Sequence, residues 1–361
     1  MASLGIGIVG TGNIAGKYAT DSRTYPQLNL VAATDLDPVR AATFAATHSC
    51  RAHATLDDLL ADETIDIVVN LTVHQAHYEV SRAALDRGKH VYSEKPLALH
   101  PDEARELLDL ADVRGVRLGC SPATFLGEAQ QTAAAIVRSG RLGTVRAVYA
   151  EVNHGRIEAW HPAPVPFYEV GVMVDVGVYP LTLATAMLGP ARTVRAWSWE
   201  LLPDRVTLAA EPYRIGSPDL IVAAIELETG AVVRLTTSFY VGRPARQTSS
   251  LEFHGDVASL SIGSFQAFDA TVEVGELDGE LVPVPLVRPP YPGTAWARGV
   301  ADMAGAILAR RPHRATGEQA AHIVDILAAV SDSRRNDGRA VRVTSTFELP
   351  DLVDPVPSTL L

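Results

Sequence analysis

The first 120 residues alternate short apolar runs with segments of helical period, and nothing else in the chain restricts its fold as much. Leu4 to Val9 is apolar and stops at Gly10, and a helical pattern follows over about 13–20. Leu28 to Thr34 is a second apolar run, ended by Asp35-Leu36-Asp37-Pro38 before an alanine-rich helical stretch at 38–47. Ile65 to Leu71 is mostly β-branched and apolar, interrupted only by Asp66 and Asn70, and 76–87 reads as a helix stopped by Gly88. Lys89 to Ser93 is extended up to Glu94-Lys95-Pro96, 101–113 is helical, and Val116 to Cys120 closes the series. Largely apolar strands separated by helices predict a parallel sheet buried on both faces, a doubly wound α/β layer.

After about residue 120 the rhythm changes. Residues 127–139 look helical up to Gly140, and strands then dominate at 144–153, 192–201, 219–227, 231–241, 248–254 and 257–263. Glu228-Thr229-Gly230 links two of them as a hairpin, and helical stretches remain at 296–310 and 316–333. The expectation is an α+β domain with a large, mostly antiparallel open sheet. At about 100–200 residues per domain the chain holds two, set here at 1–122 and 123–361. The first is the expected cofactor domain; the second is expected to bind substrate and to oligomerise. An open antiparallel sheet has a face and edges that need cover, which predicts a homodimer or homotetramer built through it.

Composition removes several function classes. Acids outnumber bases 42 to 31, a formal net charge of −11, which lacks the basic footprint that nucleic acid or an anionic membrane surface demands. The two cysteines, Cys50 and Cys120, cannot build a disulfide framework and form no C-x-x-C pair for zinc. No apolar stretch approaches ~20 residues, and the N-terminus lacks the basic lead-in of a signal peptide. The chain is therefore expected to be reduced, soluble and cytoplasmic.

Gly10-Thr11-Gly12-Asn13-Ile14-Ala15 matches G-x-G-x-x-A between an apolar strand and a helix. Glycine at 10 permits a tight turn, and glycine at 12 lets backbone approach a pyrophosphate lying on the helix N-terminus. The acid expected about 20 residues further on is Asp35, at the end of the second strand. A carboxylate there accepts ribose hydroxyls and repels a 2′-phosphate, so the expected cofactor is NAD, with NADP left open because Arg40 is near. The alternative is a purely structural turn with Asp35 as a helix cap.

Two further segments carry candidate chemistry. Lys95 stands at the carboxyl end of a parallel strand, where ligands of doubly wound folds bind. Asp175 and Tyr179, in Gly171-Val172-Met173-Val174-Asp175-Val176-Gly177-Val178-Tyr179-Pro180, share one face if the stretch opens a helix. With these pieces in order, the sequence resembles the Gfo/Idh/MocA oxidoreductases. The matching parts are Gly10 to Ala15, the Thr72 to His77 loop, Glu94-Lys95-Pro96 and Asp175-x-Gly177-x-Tyr179-Pro180. The resemblance implies an N-terminal Rossmann domain and a C-terminal open-sheet domain. It implies a catalytic set at Lys95, Asp175 and position 179, where tyrosine replaces the commoner histidine. It also implies a cofactor site built from Gly10, Gly12, Asn13, Ile14, Asp35, Thr72, His77, Glu94 and Lys95. Gly171-Val172-Met173 departs from the glycine-rich run commoner at that place.

The chemistry is arguable from the side chains. Hydride leaving a sugar carbon for NAD leaves a hydroxyl proton to be taken. Tyrosine, with an ordinary pKa of about 10, needs a neighbouring ammonium to act as a base near neutrality. Lys95 can supply that ammonium or relay the proton itself; Asp175 can orient Lys95. The bland alternatives are a surface lysine, a half-buried tyrosine and a helix N-cap. Substrate candidates are Thr124 at the domain junction and His154, Arg156, Trp160, His161 and Tyr168 ahead of the catalytic segment. Trp296 and Arg298 begin a late helix, with Arg298 a candidate for an anionic substrate or the partner domain. His74 and His77 are three apart, but no third ligand is at a recognisable spacing, so no metal is expected. The functions in play are an NAD-dependent sugar, sugar-derivative or cyclic-polyol dehydrogenase, an NAD-dependent glycoside hydrolase acting through transient oxidation, and a non-catalytic NAD sensor.

Overall fold

A computed structural model describes residues 2–242 and 244–353. The chain forms two compact units, Met1–Ala123 with Ala295–Val324, and Thr124–Thr294 with Asp325–Leu361.

The first unit runs β1 (Leu4–Val9), α1 (Ala15–Ser22), β2 (Leu28–Thr34), α2 (Pro38–His48), β3 (Arg51–Ala52), α3 (Leu56–Ala61), β4 (Ile67–Asn70), α4 (His77–Asp86), β5 (His90–Ser93), α5 (Pro101–Arg114) and β6 (Leu118–Cys120). All strands are parallel, in the order β3-β2-β1-β4-β5-β6. That is the Rossmann order, with its switch point between β1 and β4. All four residues of β4 are buried, as covering both faces requires. Val68, Leu85, Val91 and Leu107 are fully buried in its core, each contributing about 1.5–3 kcal/mol of burial. Caps fix the helix entries. Asp37 accepts from Val39 N and Arg40 N ahead of α2, and Thr55 accepts from Asp58 N ahead of α3.

In the second unit come α6 (Glu128–Arg138), β7 (Val145–Asn153), α7 (Val165–Val170), a π-helical turn (Met173–Gly177), α8 (Val178–Leu188), β8 (Ala191–Trp199), β9 (Asp204–Val206), β10 (Pro212–Arg214), β11 (Leu220–Leu227), β12 (Val232–Ser238), β13 (Ser249–Gly255), β14 (Ala258–Ile262), β15 (Val272–Glu276) and β16 (Val282–Pro283). With β17 (Val341–Arg342) they build a nine-stranded sheet, β16-β15-β14-β13-β7-β12-β11-β8-β17, antiparallel except where β7 meets β12. β9 and β10 pair separately. Burial alternates along β11 and β14, the signature of a sheet with one covered face. The hairpin at 228–230 forms, with Gly230 at φ +87°.

The segment 295–324, assigned from sequence to the second domain, packs with the first unit. It holds α9 (Arg298–Leu308) and the start of α10 (Gly317–Arg335). It covers the edge of β6. Gly119 bridges to Thr316, Cys120 N donates to Ala315 O, and the His313 ring meets Leu118 O at 3.1 Å. A Cβ on Gly119 would lie 2.6 Å from Met303 Cε. An exposed strand edge is a hazard that this return of the chain removes. Among the described residues no helix is long and apolar enough to cross a membrane.

Candidate active site

Gly10 and Gly12 are glycines for different reasons. Gly10 has φ +90°, and a Cβ on it would lie 2.8 Å from the Leu71 carbonyl and 2.9 Å from Thr72 N. The turn after β1 therefore needs glycine to close against the turn after β4. Gly12 carries no such demand, since a Cβ there would meet no heavy atom within 4 Å. The open space beside it, ahead of α1, fits a pyrophosphate approaching the backbone. Gly12→Val is therefore expected to leave unfolding stability within about 0.5 kcal/mol while weakening NAD binding by about tenfold or more. Calorimetric titration and thermal melting on the same sample check this.

Asp35 follows β2 and is held by the chain itself. Its Oδ2 accepts from Thr11 N at 2.7 Å and Thr11 Oγ1 at 3.0 Å, and its Oδ1 from Asp37 N and Arg40 Nη2. Burial pushes its pKa up, but these donors outweigh burial and hold it below 3.8. Asp37, not Asp35, caps α2. Arg40 is paired to Asp35 at 3.0 Å from an exposed position. Thr11 had no signal of its own, being merely the variable residue of the glycine motif.

The Glu94-Lys95-Pro96 turn leaves β5, and Lys95 is half-buried in it. Glu94 is buried; its Oε1 accepts from the Tyr18 hydroxyl at 2.7 Å and its Oε2 from Lys95 N at 3.1 Å. Tyr18 Oη also lies 2.8 Å from Ser121 Oγ. Burial first, then Glu94, pushes the Tyr18 phenol well above its ordinary value. Sequence reading did not find Tyr18; it is an ordinary buried position of α1 until the fold sets it under Glu94. His77 lies against Thr72 and Pro96 through its ring. Asn13 is exposed and Ile14 half-buried in the turn before α1. Trp296 N donates to Asp21, Lys17 Nζ sits 4.8 Å over the Trp296 ring, and Arg298 Nε donates to the Tyr25 hydroxyl at 3.2 Å, all within this unit.

The second unit carries the other candidates. Asp175, buried, lies inside the π-helical turn rather than at a helix N-cap, and Tyr179 follows in the first turn of α8. Such turns recur at functional sites. Gly177 permits the turn to pack on β12, since a Cβ there would lie 2.5 Å from Met173 Sδ and 3.2 Å from Thr237 Cγ2. The Tyr179 ring stacks on Phe265 at 6.0 Å. Trp160, half exposed, is flanked edge-on by His154, His161 and Phe167. Arg156 lies 4.8 Å over the Tyr240 ring. Thr124 Oγ1 is buried with no hydrogen-bond partner among the described residues.

Tyr168 belongs to a buried ionic network. Its hydroxyl donates to Glu158 Oε2 at 2.7 Å and accepts from Arg205 Nη1 at 2.7 Å. Arg205 also donates to Glu158 Oε1 at 2.8 Å and Asp219 Oδ2 at 2.6 Å. Burial, then Glu158, pushes the Tyr168 phenol far up, which suits an anchor better than a base. Among the described residues no group of three or more His, Cys, Asp or Glu is disposed to hold a metal.

Residues 4–121 match the oxidoreductase family model GFO_IDH_MocA, an NAD-binding Rossmann fold, and residues 130–261 match the GFO/IDH/MocA C-terminal domain. The chain belongs to the Gfo/Idh/MocA oxidoreductase family. Within reach of this family member, the dTDP-3,4-didehydro-2,6-dideoxy-alpha-D-glucose 3-reductase of Streptomyces antibioticus is 32% identical over 189 residues, 52% of this chain and 57% of that one. The chain thus matches little more than half of that reductase. The D-glucoside 3-dehydrogenase of Escherichia coli (strain K12) is 28% identical over 293 residues, 76% of this chain and 80% of that protein. Levoglucosan dehydrogenase, solved in complex with NADH and L-sorbose, superposes with a TM-score of 0.82 at 17% identity, covering 95% of this chain and 99% of that one. At that identity the likeness concerns fold.

Proposed function

We propose that this Gfo/Idh/MocA member is an NAD-dependent dehydrogenase that oxidises a hydroxyl of a sugar, sugar derivative or cyclic polyol. The observation that carries the reading is the Gly10–Ala15 turn: it joins β1 to α1 at the β1–β4 switch point, and Gly12 leaves open space there for a ligand. NAD fits there, and when bound it supplies a hydride acceptor. Gly10, Gly12, Asn13 and Ile14 would line the pyrophosphate, Asp35 would take the ribose hydroxyls, and Thr72 would flank the nicotinamide. Asp35 also favours NAD over NADP, because a carboxylate repels a 2′-phosphate.

The remaining roles belong to side chains. Two acceptors for the hydroxyl proton are proposed: Tyr179 as a phenolate, with Lys95 as an ammonium that donates to the substrate oxygen, or Lys95 itself as a neutral amine; Asp175 is the third member of the proposed set. His154, Arg156, Trp160 and His161 offer rings and donors suited to a pyranose, and the buried, unpartnered Thr124 hydroxyl suits a sugar hydroxyl. Relatives named for chemistry at carbon 3 of glucose derivatives support that carbon as the site of oxidation. The half-exposed sheet face, with Tyr149, Trp197, Trp199 and Val232 on it, would pair two copies into a dimer. Light scattering is expected to give at least twice 38.5 kDa, and a clean monomer ends that part.

The test is a scan of free sugars, inositols and nitrophenyl glycosides with NAD and NADP, following reduced cofactor and released aglycone together. NADH that grows with a sugar or polyol is the expected result. Aglycone release without net NADH would replace the reading with a redox-neutral glycosidase. Cofactor binding with neither signal would leave a sensor.

A further inference from the structure

His77 opens α4 with 1% of its surface exposed. Its Nδ1 lies 2.6 Å from the Pro96 carbonyl oxygen and its Nε2 lies 3.1 Å from the Thr72 carbonyl oxygen. Carbonyl oxygens only accept, and a neutral imidazole has one N–H to give. One contact is therefore a hydrogen bond in either protonation state, and the other becomes one only when the ring takes a second proton. The shorter contact, to Pro96, is the one a single N–H serves.

The backbone that carries the ring is held by Asn70. Asn70 Nδ2 donates to His77 O and to Ser81 Oγ, while Asn70 Oδ1 accepts from Thr72 N and Thr72 Oγ1. The groups facing the imidazole are Glu94 and Lys95, from the turn after β5, and His74, whose ring centre lies 5.8 Å away. Burial holds the ring below its ordinary 6.5 and Lys95 adds to this, against the two carbonyls and Glu94. The charged form is thus confined to acid, and the neutral ring is the working one.

We propose, resting on the reading of Lys95 given above, that His77 is a positioning residue for that lysine. Its Nδ1–H holds the carbonyl of Pro96, the residue after Lys95, and so ties the lysine-bearing turn after β5 to the start of α4, which Asn70 of the neighbouring strand β4 holds through His77 O. The Thr72 arm of the ring closes only on protonation.

The chain contains three lysines, Lys17, Lys89 and Lys95. Competitive acetylation of the intact protein with acetic anhydride, read by peptide mass spectrometry, therefore follows Lys95 against two internal references and needs no sugar. His77→Leu removes the donor and keeps an apolar body; His77→Gln restores one amide donor. The Lys95 rate is expected to change by about fivefold in His77→Leu relative to Lys17 and Lys89, and to return to within about twofold in His77→Gln. Nitrogen-15 spectra of the histidine rings, assigned by the signal lost in His77→Gln, are expected to show one ring proton at neutral pH and a second below 6.5. If His77→Leu does not fold, His77→Asn, too short to reach Pro96, takes its place with the same expectation. Unchanged Lys95 reactivity in the folded variant overturns the proposal. A sugar scan without turnover alongside altered Lys95 reactivity overturns only the functional reading and leaves the positioning role supported.

Discussion

Lys95→Met is expected to lower sugar-dependent NADH formation by about a thousandfold, the scale of a lost proton-transfer group, while NAD binding stays within about threefold of the original. The separation follows from how the turn is built. The backbone around Lys95 is fixed by other residues: Glu94 through Tyr18 and Lys95 N, and Pro96 through His77. Removing the ammonium leaves these ties in place. Steady-state kinetics with the sugar found in the scan, alongside calorimetric titration of NAD, measures both numbers. If turnover survives within about tenfold, Lys95 has no part in the chemistry and Tyr179 carries the proton alone.

Arg205→Met is expected to destabilise the second unit by about 3–5 kcal/mol, with little direct effect on the first. The Arg205 side chain is wholly buried, between Glu158 and an Asp219 that is also wholly buried. Its loss removes the counter-charge of both carboxylates and one donor to the Tyr168 hydroxyl, while Asp219 keeps Leu201 N and Leu202 N and Glu158 keeps Tyr168. The pH dependence has a definite sign. In the folded protein burial pushes Glu158 up, but the Tyr168 hydrogen bond and Arg205 outweigh it and hold it below 4.5, so its contribution is full above that value and fades as pH falls through the folded one. The deficit of Arg205→Met is therefore largest near neutrality and narrows in acid. Denaturant melts at several pH values show this; a melt unchanged at neutral pH would mean that the network is not structural.

The Rossmann half was legible because its signals are local. Largely apolar strands, a glycine turn and an acid about 20 residues on all lie within short stretches of chain. The position of Lys95 just after a strand was legible for the same reason, since a proline follows it. What escaped was set by distance along the sequence. The helical period of 296–310 was visible, yet nothing in it says that α9 covers β6 rather than the second sheet. That choice rests on Met303 and Ala315 fitting against Gly119. Arg205 sits in a mixed run with no motif, and its partners Glu158 and Asp219 are 47 and 14 residues away. Tyr168 looked like a candidate for substrate, and its buried contacts with Glu158 and Arg205 were hidden for the same cause. The π-helical turn at Met173–Gly177 has no periodic signature in five residues; it exists because Gly177 lets the helix press on Thr237.

Isotope transfer tests hydride chemistry most directly. The pyranoside that responds in the scan, deuterated at the carbon to be oxidised, is incubated with the protein and NAD, and the cofactor is recovered for mass spectrometry. One deuterium in the recovered cofactor, lost in Lys95→Met, is the predicted result. Unlabelled cofactor beside a pyranoside that has reacted would contradict hydride transfer to the nicotinamide.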